Sequence, residues 1–321
     1  VQRPCSRGRP ALSSAMHWYD HPGYVYGRRI VGLPRQIHGF TRDRAAQIRR
    51  LLRADGLAKV ACVPTPVTED ALRAVHTPEV VAGLRDRFAL AEAIELPWLT
   101  ALPTLFVRPL VVHPQLRAAG GTIEALAAAA TGDWAINLSG GFHHARPDKS
   151  HGFCLINDVA LAVDALRKQG ERKRILVLDL DLHQGDGNAA AFAGDAEVFT
   201  VSMHEDAAFP HPKLASDVDL PLASGIGDQV YLRHLDRLLA ALPDRFSPEI
   251  VVYIAGTDPL EADPGSLRMT IEGIVERDRR VARYTRAAGA GLVMLPAGGY
   301  SPASPAAAAA GMAAVAREAP P

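Results

Sequence analysis

Cysteine is scarce in this 321-residue chain: only Cys5, Cys62 and Cys154 occur. An odd and widely spaced set is no disulfide framework, so the fold must rest on its core, and the chain reads as a protein of the reducing cytoplasm. Net charge is missing too, since 35 Lys and Arg balance 35 Asp and Glu. A nucleic-acid scaffold would be clearly basic, and no nucleic acid is expected as a partner. No apolar run reaches the roughly 18–20 residues of a membrane helix. The alanine run 306–310 follows Pro305 and is broken by Gly311. Residues 1–15 (VQRPCSRGRPALSSA) are basic and lack the apolar stretch of a signal peptide, so they read as a disordered leader or extension. There is no repeat, no Gly/Ser- or Pro-rich linker within 17–315, and no GxGxxG or P-loop spacing. What remains is one domain over 16–321, whose 48% hydrophobic composition can fill a large core.

Helical and strand patterns alternate from about residue 41. Thr41 reads as the cap of a helix through Ala45, Ile48, Leu51 and Leu52, stopped at Gly56. A short strand is expected at 59–63 (KVACV), a helix from Thr68 carrying Leu72 and Val75, and another from Thr77-Pro78. Further helices are expected at 121–131, 158–169, 229–242 and 270–287, with the arginines of 277–286 (RDRRVARYTR) on a solvated face. Five apolar runs read as strands: 134–138 (WAINL), 175–180 (ILVLDL), 198–203 (VFTVSM), 250–255 (IVVYIA) and 292–295 (LVML). They are continuous rather than alternating, as strands covered on both faces should be. The expected fold class is α/β: a single-domain, mainly parallel sheet with helices on both faces.

The segments at the ends of these runs matter more. The first run leads into SGGFHHA, the second into DLHQGDG, the fourth into GTDPLEADP and the fifth into PAGGY. Ligands bind beyond the carboxyl ends of parallel strands, so the chemistry of this chain collects on one edge of one sheet. Asp179, Asp181 and His183 alternate with leucines and share a side of the chain. With Asp258 from another strand end, Asp181 and His183 make an Asp2His set, the three-ligand pattern of a catalytic metal site with a position left open. Zinc is the default, and ferrous iron also suits one nitrogen and several oxygen donors. The competing reading is that these carboxylates cap helices or pair with arginines. His143-His144 follows Gly140-Gly141, and histidine suits the base and acid that a metal hydrolase needs. Asp179 and Asp186 are natural orienting partners for the two rings. Tyr300, at the end of a Gly-rich turn, can aim a phenol at an oxyanion. The other histidines, His76, His151 and His204 among them, read as ordinary packing residues.

In that order, GGFHHA, DLDLHQGDG, AGTDPLEADP and AGGY resemble the zinc-dependent histone deacetylase superfamily, over roughly residues 18–314. HQG in the second motif, VVYIAGTDPLEADPGSLRMTIEGIVERD around the third and RAAGGTIEALAAAATGDWAINLSGGFHH upstream are closest to the class IV branch. The resemblance implies a three-layer α/β/α arginase/deacetylase-like fold and hydrolysis of N-acyl-lysine amides in a protein or peptide, long-chain acyl groups included. A small acylated amine such as an acetylpolyamine is the alternative substrate. It implies zinc on Asp181, His183 and Asp258, His144 as base and then acid beside Asp186, His143 paired with Asp179 as electrostatic support, and Tyr300 polarising the acyl carbonyl. It further implies a potassium ion on Asp179, Ser202 and the backbone carbonyls of Asp181, His183 and Met203. Phe153 and Phe209 resemble the walls of the acyl-lysine channel, and Gly152 lines it. The sequence departs from the pattern twice. Residues 86–104 carry no convincing match to the substrate-gripping acid of class I members, and Asp186 stands where class IV members often carry Asn. Two other readings have less support. An arginase-like ureohydrolase would want Asp-x-Asp where Gly256-Thr257-Asp258 stands, and a non-catalytic acyl-lysine binder would not retain the whole catalytic set.

Overall fold

The computed structural model describes residues 16–24, 26, 36–37, 40–58 and 61–321. Residues 1–15, expected as a leader or extension and holding Cys5, together with His38 and the first two residues of the expected strand 59–63, lie outside the described residues. In chain order the strands are β1 (His17–Tyr19), β2 (Gln36–Ile37), β3 (Phe40–Thr41), β4 (Trp134–Asn137), β5 (Ile175–Asp179), β6 (Val198–Glu205), β7 (Val218–Leu222), β8 (Ile250–Ile254) and β9 (Gly291–Leu295). Seven of them form one parallel sheet in the order β1-β4-β9-β8-β5-β6-β7, while β2 and β3 pair as a small antiparallel ribbon. The helices are α1 (Arg44–Ala54), α2 (Glu69–Leu72), α3 (Pro78–Gly83), α4 (Arg87–Ala93), α5 (Thr104–Ala129), α6 (Asp158–Lys168), α7 (Asp186–Ala191), α8 (Asp228–Ala241), α9 (Ile271–Ala287) and α10 (Ser304–Glu318).

The five apolar runs are the five inner strands, and their alternation builds the three layers. Ile175 and Val177 of β5, with Val252 and Ile254 of β8, pack against Val159 and Val163 of α6 and Leu126 of α5. Leu176 and Leu178, with Val251 and Tyr253, face the other way, in the cluster that holds Ile274 and Val281 of α9 and Met312 of α10. Each fully buried aliphatic side chain contributes roughly 1.5–3 kcal/mol, and it is this burial that holds the core; the buried Cys154 is a free thiol. The chain is thus a single-domain, three-layer α/β/α sandwich, as the strand pattern predicts.

Several local expectations need correction. Helix α5 begins at Thr104, well before 121, although Pro109 and Pro114 lie inside it. Its Gly120 and Gly121 are packing residues: a Cβ on Gly120 would collide with the Thr65 carbonyl, and one on Gly121 would meet the Asn137 amide at 2.8 Å. Helix α1 starts after Asp43 rather than at Thr41, and the helix after Thr68 closes at Leu72. In the described part of 59–63, Cys62 makes an isolated parallel bridge to Tyr19. Strands β1 and β7 carried no clear signal, being short and at the sheet edges; Pro221 in β7 is tolerated because an edge strand can spare an N–H.

The order of the strands decides where a site can form. After β5 the chain moves outward to β6, while after β8 it moves to β9 on the opposite side. The neighbours β5 and β8 therefore flank a topological switch point, where the outgoing loops part and leave a crevice.

Candidate active site

Asp181 and His183 lie just past β5 and Asp258 just past β8, so the three meet at that switch point. They offer ligand atoms within 4.8 Å of one another. His183 Nδ1 lies 3.2 Å from Asp181 Oδ1 and 3.0 Å from Asp258 Oδ2. Backbone N–H groups aim the carboxylates: Gly298 and His183 donate to Asp181 at 2.8 and 3.0 Å, and Leu182 donates to Asp258 at 3.0 Å. Gly298 has no room for a side chain, since a Cβ would press on Asp258 Oδ2 and lie 2.6 Å from Asp181 Oδ2. Burial and the neighbouring Asp181 charge push the Asp258 carboxyl up to about 6. Burial pulls His183 down, but its bonds to the two carboxylates outweigh it and hold the imidazole up at about 10. The cluster demands positive charge, and one nitrogen with carboxylate oxygens fits a divalent cation. Among the described residues neither carboxylate pairs with an arginine, which removes the competing ion-pair reading.

Behind this cluster stand the two histidines of the loop after β4. His143 Nδ1 lies 2.8 Å from Asp179 Oδ2, and His144 Nδ1 lies 2.8 Å from Asp186 Oδ1. The rings are 4.1 Å apart, and His144 is 5.7 Å from the His183 ring. Their environments drive them apart. Burial lowers His143, yet the Asp179 and Asp181 charges prevail and raise it to about 9. Burial, followed by the His143 charge, pushes His144 down to about 3 despite Asp186. Burial and the neighbouring charges therefore shift the two adjacent imidazoles in opposite directions. His151, expected to be a bland residue, belongs to this group: its Nε2 stands 3.0 Å from Asp186 Oδ2.

Tyr300 enters from the turn after β9. Asp263 Oδ1 accepts the backbone N–H groups of Tyr300, at 2.8 Å, and Ser301. Burial first, and then the Asp258 and Asp181 charges, raise the phenol well above its usual range, so it stays a neutral donor. Arg44 of α1 clamps the same turn, donating to the Ala297, Pro296 and Gly298 carbonyls at 2.5, 3.2 and 2.9 Å. Phe153, Phe209 and Tyr300 line one cavity of about 510 Å³ with His183 and Asp258. The Phe209 ring is 4.9 Å from His144, and Phe153 is 5.9 Å from Tyr300. Gly152 and the two loop histidines line a smaller inner cavity of about 90 Å³. At Gly152 φ is +55°, and a Cβ would lie 2.6 Å from His144 Cδ2, so only glycine lets the wall approach the imidazole.

Arg277 overturns the reading of its segment as a solvated face. It is 0% exposed, and its guanidinium donates to the Leu180 and Gly256 carbonyls at 3.2 and 2.6 Å. It ties together from beneath the turns that lead to Asp181 and Asp258. Helical spacing puts one arginine of that run inward, but nothing in composition marks which one. Arg44 and Asp263 were missed for the same reason, as their partners lie 253 and 37 residues away.

Of the residues linked to potassium, Asp179 and Ser202 are register neighbours on β5 and β6, and Met203 is fully buried. Ser202 Oγ lies 3.0 Å from His204 Nδ1. Burial and the Lys213 charge push His204 down to about 4, against about 6.5 in an unfolded chain. Between those values the unfolded state binds the extra proton, so stability falls as pH falls from about 6.5 to 4, by about 2 kcal/mol after solvent screening. His204→Gln should flatten that part of the curve in urea titrations; an unchanged slope would show that His204 does not carry it.

The Histone deacetylase domain model matches residues 38–316. Histone deacetylase 2 of Arabidopsis thaliana is 32% identical over 275 residues, covering 84% of this chain and 71% of its own. Histone deacetylase 8 of Xenopus tropicalis is 31% identical over 273 residues, covering 79% and 73%. An uncharacterized protein of Picosynechococcus is 37% identical over 287 residues, covering 88% and 91%. Among solved structures, the HD domain of HDA15 superposes with a TM-score of 0.73 at 22% identity, covering 94% of this chain and 90% of that one, and so shares the fold. On the family model and these relatives, the chain belongs to the histone deacetylase family.

Proposed function

We propose that residues 16–321 form a zinc-dependent deacylase that hydrolyses N-acyl-lysine amides, with small acylated amines as the alternative substrate. The observation that carries this reading is the convergence of Asp181, His183 and Asp258 with Tyr300 and two aromatic walls on one cavity. Asp181, His183 and Asp258 would hold the ion, which when bound polarises the acyl carbonyl and makes water a nucleophile near neutral pH. Phe153 and Phe209 flank the alkyl chain of the substrate. His144 is neutral and its Nδ1 is engaged by Asp186, which leaves Nε2 to take the proton of the attacking water and return it to the departing amine. His143, cationic beside Asp179, lends positive charge, and the Tyr300 hydroxyl donates to the oxyanion. A potassium ion on Asp179, Ser202 and the carbonyls of Asp181, His183 and Met203 would brace the loop that carries the metal ligands.

Tyr300→Phe is expected to lower kcat by about 10²–10³, typical of one oxyanion donor. A loss under about threefold would remove Tyr300 from the mechanism. The reading as a whole is tested with peptides carrying acetyl-, octanoyl- and myristoyl-lysine, on zinc-loaded protein and an EDTA-treated control. Chelator-sensitive release from any of them supports the deacylase, and the preferred chain reports the acyl length. No release from any peptide by the zinc-loaded protein would overturn the acyl-lysine reading.

A further inference from the structure

Gln115 of α5 is 0% exposed, flanked on the helix by the buried Val111, Val112, Ala118 and Ala119. A primary amide is costly to bury unless it is hydrogen-bonded. Gln115 turns both ends of its amide to one distant loop. Its Nε2 donates to the Phe153 carbonyl at 2.8 Å, and its Oε1 accepts the Leu155 N–H at 2.8 Å. Tyr26 is a third partner, its phenol hydrogen-bonded to the same side chain.

The loop needs that support. Phe153 has a φ of +64°, in the left-handed region that a bulky side chain seldom adopts, directly after Gly152 at +55°. Residues 152–155 belong to no strand or helix, so their backbone groups must find partners elsewhere. The Phe153 N–H donates to the carbonyl of Ala93, the last residue of α4, at 3.0 Å, and the Cys154 N–H donates to the His151 carbonyl at 2.9 Å. Gln115 takes the Phe153 carbonyl and the Leu155 N–H, so the backbone of Phe153 is held from both sides. The sign of that φ matters to the site. At an ordinary negative φ the Cβ would leave the chain in another direction, and the ring would be turned away from the cavity. Where it stands, the ring is 5.9 Å from Tyr300 and lines both the 510 Å³ cavity and the inner one of 90 Å³. Gln115 itself is on neither wall.

We propose that Gln115 is a positioning residue for substrate binding: its amide holds Phe153 in the left-handed conformation that sets the ring into the channel wall, and so governs how tightly the alkyl chain of the substrate is gripped. This role rests on the deacylase reading and adds to it a residue outside the cavity. The wall touches the methylenes of the acylated amine, not the reacting carbonyl, so its contact is equally strong in the ground state and the transition state. Losing such a contact raises KM and leaves kcat in place. Simple destabilisation does the opposite, because a smaller folded fraction lowers the apparent kcat at unchanged KM.

Gln115→Met removes both hydrogen bonds to the loop at nearly constant volume. Hydrogen–deuterium exchange needs no turnover, and in the variant it should quicken at Phe153 and Leu155 by at least about tenfold, more than at β5 or β8. On the zinc-loaded full chain, KM for whichever of the acetyl-, octanoyl- and myristoyl-lysine peptides are hydrolysed should rise by about 5–30-fold. The kcat should stay within about twofold of wild type. In a Phe153→Ala background the same substitution should change KM by less than about twofold, because the ring it positions is gone. Exchange that quickens no more at 153–155 than at β5 and β8 overturns the positioning role. So does a fall in kcat without a rise in KM, or an equal rise in KM with and without the Phe153 ring. Faster exchange at 153–155, with no peptide hydrolysed by the wild type, upholds the hold on Phe153 and counts against the deacylase. Should the methionine variant fail to fold, Gln115→Asn, whose amide stands one methylene short of both partners, carries the same readouts.

Discussion

Asp258→Ala is expected to abolish stoichiometric zinc binding and deacylation together. A three-ligand site that loses one carboxylate keeps only Asp181 and His183, too few to hold a catalytic ion against exchange. Asp258 also accepts the Leu182 N–H through Oδ1, so alanine leaves a buried donor unsatisfied, at a cost of about 1–3 kcal/mol. Asp258→Asn separates the two effects, because the amide oxygen can still accept that N–H while binding metal more weakly than a carboxylate. Metal analysis of the purified variants, with circular dichroism to confirm the fold, reads the result. An alanine variant that retains one zinc per chain would contradict the ligand set and with it the proposed mechanism.

Arg277→Ala should cost about 3–5 kcal/mol of stability, the range for breaking a buried ion pair from one side. Its Nε donates to Asp278 Oδ1 at 2.9 Å, and that oxygen also accepts the Tyr253 hydroxyl at 2.5 Å. Alanine would strand the Asp278 charge in the core and free the Leu180 and Gly256 carbonyls that the guanidinium holds. These carbonyls belong to the turns that lead to Asp181 and Asp258, so zinc affinity should fall with stability. Replacing both partners with apolar residues, Arg277→Met with Asp278→Leu, should recover much of the stability and little of the metal affinity. Urea midpoints and zinc titrations separate the two outcomes. A single variant destabilised by less than about 1 kcal/mol would show that the arginine does not brace the two turns.

Parallel strands buried on both faces announce themselves as unbroken apolar runs, so β4, β5, β6, β8 and β9 were legible in the sequence. The residues beyond a parallel strand must emerge at its carboxyl end, so the motifs of Asp181, His183, Asp258, the His143-His144 pair and Tyr300 could be assigned to one edge of the sheet from their order alone. Elements whose signal is overridden by contacts were not legible. Two prolines and a Gly-Gly pair hid the first half of α5, because those glycines answer to Thr65 and Asn137 rather than to the helix. The edge strands β1 and β7 are too short or too polar to stand out.

Charges gave the deepest contrast. Arg277 and its solvated neighbours look alike in sequence. Which of them is buried depends on what lies across the fold. By itself the sequence determined the fold class and the edge on which the residues of the proposed mechanism gather, since periodicity and chain order are local properties. Only the tertiary structure decided the convergence at the β5–β8 switch point, the opposite shifts of His143 and His144, and the placement of Arg44, Asp263 and Arg277. Those depend on burial and on distances of a few ångströms between residues far apart in the chain, and a desolvated charge owes its behaviour to the neighbours that the fold supplies.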